Sequence, residues 1–532
     1  MSNSFDWRFP YESRRAPVLA RNVVTTSQPL ASQAGLQMIQ DGGNAVDAIL
    51  AAAITLTVVE PCNNGVGSDA FAQIFDGERL RGYTGSGRSP KAWHPSRFAN
   101  YDEMPRHGWD SVTVPGAVRT WVDLHERHGS LPFSKLFESA IQYARDGFHI
   151  GHKTAEIWQA SAEMFRGFGA FQRHFCSAGR APQAGELYRR PELADTLEAI
   201  ADSQGESFYR GDLAQAIVKQ SDTERGCLTC EDLADHTGLW QEPLSMDYHN
   251  VRLHEIPPSG QGLAALLALG MLRHTHAATL PVDSAEWVHM QVESMKIAIR
   301  AAFDHIADMD AMKSHTTVEE LLDDTSLRHA AQTIGDRVAH IPPRELPTSS
   351  DTVYLAAADA SGMMVSYIQS NYMGFGSGIV IDGTGIAMQN RGAGFVLTPN
   401  HPNQVAGAKR PYHTIIPGFI TDLDNRPLAV FGVMGGHMQH QGHVQMVSRI
   451  YDYGQNPQAA SDAPRWHVTP DFEVVLESGY EPAIEAKLRS RGHAVAMSAN
   501  QNLFGGAQLI CRMQDGYCAA SDHRKEGCAL GF

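Results

Sequence analysis

From residue 351 onward the chain changes character, and that change limits its fold more than any other feature of its 532 residues. Residues 353–360 and 363–370 are strand-like runs joined at Ser361-Gly362, a pattern that predicts a β-hairpin. Further short strands are predicted at 379–382, 386–389, 414–421 and 428–433, with a closing pair, 507–513 and 517–521, around the turn Asp515-Gly516. Before residue 351 helical signals dominate. One helix is predicted over 28–40 and stopped by Gly42-Gly43, and Asn44 is placed to cap a second over 45–59. Residues 115–128 and 132–145 each begin with proline and stop at a glycine. An alanine- and leucine-rich helix (263–272) and a long helical pattern (284–309) follow. Residues 164–205 predict short helices and loops over the surface, and 313–350 a polar, proline-bearing connector. A strand follows at 70–75 after the loop 61–67, and helices return at 438–453 and 482–491. Helices, then strands, then helices suit a layered α+β or α/β sandwich drawn from both halves of the chain.

Composition narrows the class of function. A formal net charge of −16 argues against nucleic acid or an anionic membrane surface as partner, though an anionic small substrate stays open because a pocket has its own field. The first 18 residues lack the apolar run of a secretory signal, and residues 48–59 are too short to span a bilayer. Seven cysteines, an odd number thinly spread, predict reduced thiols and a cytoplasmic location. Cys227 and Cys230 form a CxxC with no second ligand pair at zinc spacing, so no metal site is expected there.

Several residues could carry chemistry. Asp351-Thr352 follows the polar, breaker-rich lead 347–350. A threonine at the head of a strand is either a structural residue or, once the chain is cut before it, a nucleophile whose own α-amine serves as general base. Such an amine has a reference pKa of about 7.7 to 8.0, so part of it is unprotonated near neutral pH. Before cleavage the same hydroxyl could attack the Asp351 carbonyl in an N-to-O acyl shift. Gly435-Gly436, between a strand and a helix, is either a tight turn or a pair of amides exposed to hold an oxyanion. His437, His440 and His443, spaced by three, form a polar helix face or pocket lining, or bind a metal, though no acidic partner accompanies them. The glycine-rich run 374–378 lies between strands, which argues against nucleotide binding. Asn390-Arg391 follows a strand, and the arginine could clamp a carboxylate or be paired structurally.

Ordered motifs along nearly the whole chain resemble the γ-glutamyltranspeptidase family of N-terminal nucleophile hydrolases. In the first half they are GGNAVDA (42–48), VVEP (58–61), SVTVPG (111–116), ARDGF (144–148) and PPSGQG (257–262). In the second they are DTVYLAAADASG (351–362), FGSGIV (375–380), KRP (409–411), GGHMQHQ (435–441), DAPR (462–465) and ASDHR (520–524). The resemblance implies a four-layer αββα sandwich and a precursor cut between Asp351 and Thr352. The products would be a large subunit, 1–351, and a small subunit, 352–532, with a dimer of heterodimers as the assembly open to them. It also implies Thr352 as nucleophile, Ser370 in place of a second threonine that hydrogen-bonds it, and Gly435 and Gly436 as the oxyanion pair. No metal or organic cofactor is implied.

The amino-acid-recognition set departs from the family. The large-subunit arginine is matched by Ser86, with Arg88 nearby, and the glutamyl-holding asparagine by Tyr372. The glutamine and aspartate for the α-amino group are matched by Arg391 and Gly394, and the serine pair for the α-carboxylate by His413 and Thr414. An ammonium facing Arg391 would be repelled. The expected activity is therefore hydrolysis of a small acid-bearing amide without an α-amino group, oxamate-like or glutaryl-like, with Arg391 and Arg88 as carboxylate holders and Asn390 beside them. The rivals are γ-glutamyl hydrolysis or transfer from glutathione, an uncleaved non-catalytic binding protein, and a metal-dependent hydrolase using the histidine helix.

Overall fold

The computed structural model describes residues 14–177, 179–339 and 351–532. The first 13 residues and the breaker-rich lead 347–350 lie outside them.

Two antiparallel seven-stranded sheets form the centre. One runs, edge to edge, through Cys528–Gly531, Val23–Thr26, Asp351–Ala358, Met364–Tyr372, Asp69–Phe75, Leu80–Thr84 and Leu239–Gln241. The other runs through Val18–Ala20, Gly516–Ser521, Gly506–Met513, Pro427–Met434, Gly418–Asp422, Val251–Glu255 and Leu244–Tyr248. Both sheets take strands from either side of residue 351, so neither segment completes a sheet alone.

Side-chain alternation along Asp351–Ala358 explains the layering. Tyr354, Ala356 and Ala358 point between the sheets, against Phe71, Phe419, Val430 and Ile510. Val353, Leu355 and Ala357 point outward onto the helix Ala45–Val59. A strand buried on both faces cannot alternate polar with apolar, which is why it reads as a continuous apolar run. The helix Ala45–Val59 is buried over all 15 residues and is fixed at its start by a capping box between Asn44 and Asp47. Gly262–Leu272, Ala285–His305 and Gln439–Tyr451 cover the outer face of the second sheet. The result is a helix–sheet–sheet–helix sandwich. The sheets approach closely at Gly432, where a Cβ would lie 2.3 Å from the Tyr354 ring.

Three expectations are corrected. Residues 164–205 are not a surface covering: Phe165, Phe171, Phe175 and Leu193 are buried in the main core, and Pro191–Asp202 is a regular helix. Residues 313–339 are not simple connector, because Val318–Leu321 and Asp324–Gln332 are capped helices whose Val318 and Leu327 enter the second core. Thr414–Pro417 does not extend the strand that begins at Gly418, because His413 pairs with Ser259 and Ile416 with the Gln439 side chain.

Candidate active site

The hairpin places Thr352 where the ladder breaks. Asp351 pairs with Tyr372 but Val353 with Gln369, so Ser370 and Asn371 together oppose the single residue Thr352. This β-bulge turns Ser370 toward the threonine, and the two hydroxyl oxygens lie 3.1 Å apart. The Tyr372 N–H donates to Ser370 Oγ at 2.8 Å, which fixes the serine rotamer. Tyr372 itself has φ +80, a conformation the bulge imposes on a non-glycine residue. Thr352 is 1% exposed. Ser370→Ala should slow both chain cleavage and turnover by roughly ten- to a hundredfold, with Ser370→Thr restoring most of it; time-resolved gels and initial rates check this.

The opposite sheet supplies the second half of the site. Strand Pro427–Met434 ends at Gly435 (φ +128) and Gly436 (φ +58), conformations that disfavour any side chain. The Met438 N–H donates to the Gly435 carbonyl, while the N–H groups of Gly435 and Gly436 find no acceptor among the described residues. Two free amides at the start of the turn leading into Gln439–Tyr451 suit an oxyanion. Gln261 Nε2 donates to the Gly436 carbonyl at 2.8 Å and to the Thr414 carbonyl, tying the loop to the PPSGQG turn. Gln439, at the start of this helix, accepts from the Ile416 N–H through Oε1 and points Nε2 at Thr352 Oγ1 from 3.5 Å. Sequence reasoning passed over Gln439, although it lies inside the GGHMQHQ motif.

Arg391 has no solvent exposure. One of its nitrogens donates to Thr414 Oγ1 at 2.8 Å, and the guanidinium lies 4.2 Å from the centre of the Tyr372 ring. Nε and the other terminal nitrogen have no partner among the described residues. Burial lowers its pKa to about 10, so it stays charged at neutral pH. Its nearest balancing carboxyl is Asp69, directly opposite Ser370 in the sheet. Asp69, however, is engaged elsewhere: Gly116 N–H donates to one oxygen at 3.0 Å and His413 Nε2 to the other at 3.2 Å. The Ile415 N–H donates to His413 Nδ1, which places the ring proton on Nε2. Burial raises the Asp69 pKa to about 7, against the pull of Arg391 and of the Gly87 and Gly116 amides. Arg391 is thus a buried cation with two vacant donors and only partial compensation. Asp69 was also missed, since nothing in its sequence context marks it as a partner of this group.

The other expected residues divide. Tyr372, His413 and Thr414 surround Arg391. The Asn390 carboxamide is used structurally, donating to the Arg106 carbonyl and accepting from the Met373 N–H. Arg88 pairs with Asp308 at 3.1 Å and lines a different small depression with Arg410 and His236. Of the three histidines, His443 bonds Glu255 at 2.6 Å, whereas the ring nitrogens of His437 and His440 are unpartnered among the described residues. Burial holds His437 down to about 3 and His440 well below the usual range, so both are neutral. Among the described residues, ligand atoms converge instead at His289, Glu293 and His493, where the Lys296 ammonium already bonds Glu293 and His493. No helix among them is long and apolar enough to cross a membrane.

Comparison with known proteins gives a consistent result. A family model described as gamma-glutamyltranspeptidase matches residues 31–532. A glutathione hydrolase-like YwrD proenzyme of Bacillus subtilis is 34% identical, covering 96% of this chain and 98% of that protein. An oxamate amidohydrolase proenzyme of Klebsiella pneumoniae is also 34% identical, covering 94% and 97%. The crystal structure of a cephalosporin acylase from Bacillus halodurans superposes with a TM-score of 0.94 at 42% identity, covering 99% of each chain.

Proposed function

Since the chain belongs to the γ-glutamyltranspeptidase family, we propose that it is a precursor that cuts itself between Asp351 and Thr352 and then hydrolyses the amide bond of a small carboxylate-bearing amide, oxamate-like or glutaryl-like. In the first step Thr352 Oγ attacks the Asp351 carbonyl carbon and the peptide bond becomes an ester, which water hydrolyses. The shift breaks the C–N bond and frees the Thr352 amine; hydrolysis restores its hydroxyl and leaves subunits of residues 1–351 and 352–532. In turnover that amine takes the hydroxyl proton as Oγ attacks the substrate carbonyl. The Gly435 and Gly436 amides hold the oxyanion, an arrangement whose individual donors are worth about 2.7 to 4 kcal/mol in other enzymes. Ser370, 3.1 Å away, orients the nucleophile. The proton passes to the departing amine, and water cleaves the acyl-threonine ester.

The observation that carries the substrate class is the pair of vacant donors on Arg391, buried and charged. Such a fork fits a carboxylate and repels an ammonium. Both an oxamate amidohydrolase and a cephalosporin acylase are among its relatives, in keeping with a non-glutamyl acyl group. Purified enzyme should release amine from oxamyl or glutaryl amides at least tenfold faster than from γ-glutamyl amides carrying the same leaving group. Faster turnover of the γ-glutamyl series would overturn the assignment.

A further inference from the structure

The site just described accounts for the acyl half of a substrate but not for a cavity of about 680 Å³ that opens beside it. Gly435 belongs to the cavity wall, whereas Arg391, Tyr372, His413 and Thr414 do not. The oxyanion loop therefore borders the cavity, and the carboxylate fork is not part of its wall. We propose that this cavity is the leaving-group subsite, and that it selects amides of a bulky, uncharged, largely apolar amine rather than of ammonia. The inference rests on the amidohydrolase reading above.

Size is the first reason. A volume of about 680 Å³ matches pockets that enclose ligands of drug-like size, whereas ammonia needs almost none of it. Chemistry is the second. The inner wall carries Phe303, Met373 and Met438 together with His437, His440 and His467. Buried ring nitrogens of all three histidines have no partner among the described residues, so the wall offers hydrogen bonds that a ligand could complete. These rings are neutral, held there by burial and, for His437 and His440, by neighbouring histidines as well. They can donate to or accept from an uncharged group and give no counter-charge to an anion. The rim adds Glu156, Asp471 and Glu473 against Arg106 alone, which further disfavours an anionic leaving group. Together these features describe a bulky, uncharged amine with a largely apolar body.

The test uses the self-cleaved enzyme and glutaryl amides of three alkylamines of similar basicity: methylamine, benzylamine and naphthylmethylamine. From first to last, kcat/KM should rise at least tenfold. A companion series holds the benzylamine constant and enlarges the acyl group, and should show no such rise. Ala160→Trp, at an exposed position of the helix His152–Met164 on the cavity wall, should lower the ratio of naphthylmethyl to methyl amide turnover. Its self-cleavage on a denaturing gel reports folding independently. Turnover within twofold across the amine series, or a gain only on enlarging the acyl group, overturns the leaving-group assignment while leaving the amidohydrolase reading intact. Absence of turnover of every oxamyl and glutaryl amide by fully cleaved enzyme overturns both.

Discussion

Thr352→Ala will migrate on a denaturing gel as one band of the full 58.1 kDa chain, where the native sequence is expected to give two, and its amide turnover will fall by roughly 10⁴-fold or more. The size of the effect follows from the double use of one hydroxyl. Without Oγ there is no attack on the Asp351 carbonyl, so the α-amine that serves as base is never freed. The oxyanion amides and Arg391 are then left with nothing to act on. Thr352→Ser keeps the hydroxyl and removes only the methyl group, so it should cleave and turn over within roughly one or two orders of magnitude of the native enzyme. The alanine variant should fold normally. The rest of its strand is held on both edges, by Val23–Thr26 and by Met364–Tyr372, and Thr352 itself lies at the bulge rather than within the regular ladder. Two bands from Thr352→Ala would sink the nucleophile assignment, and one band from the native chain after long incubation would favour a non-catalytic relative.

How much of this was legible in the residues depends on the range over which each feature is encoded. The helix Ala45–Val59 was read to the residue, because its cap and its apolar run are local. The hairpin was read for the same reason, with Gly362 at φ +96 in the turn. Residues 164–205 were misread because what buries their aromatic side chains is distant in sequence: Phe171 and Phe175 pack on Phe375, and Phe165 on Phe171. Thr414–Pro417 looked like strand because β-branched residues suit one, yet its partners include the side chains of Gln261 and Gln439. Thr352, Ser370 and the glycine pair proposed for the chemistry were visible as motifs. Their geometry was not, since the bulge at Thr352 depends on register and not on composition. The cavity was invisible, being assembled from segments near residues 106, 156, 303, 437, 467 and 502 that no spacing rule connects. Arg391 was visible as a residue type, but its burial and two vacant donors belong only to the folded chain.

That vacancy leads to the second large effect. Arg391→Met should lower kcat/KM for a carboxylate-bearing amide by roughly a hundredfold, while the neutral analogue with a carboxamide in place of the carboxylate loses little. A charge-assisted hydrogen bond is worth about 1.5–3 kcal/mol, and the fork can make two to one carboxylate. Removing it also leaves the substrate's charge buried and unpaired, which adds to the loss. Methionine fills similar volume on the Tyr372 ring, so the cavity term is small. Stability should move the other way. A buried guanidinium with two unsatisfied nitrogens, whose nearby Asp69 is largely occupied by His413 and Gly116, costs more in desolvation than it recovers. The melting temperature of Arg391→Met should therefore equal or exceed that of the native enzyme, as expected of a group kept for binding rather than for folding. Arg391→Lys keeps the charge but loses the fork and the contact with Thr414, and should fall between the two in activity. Rates on the acid and carboxamide substrates, measured on self-cleaved protein with its melting curve, decide the matter. Equal losses on both substrates together with a lower melting temperature would make Arg391 a structural residue and remove the carboxylate from the proposed substrate.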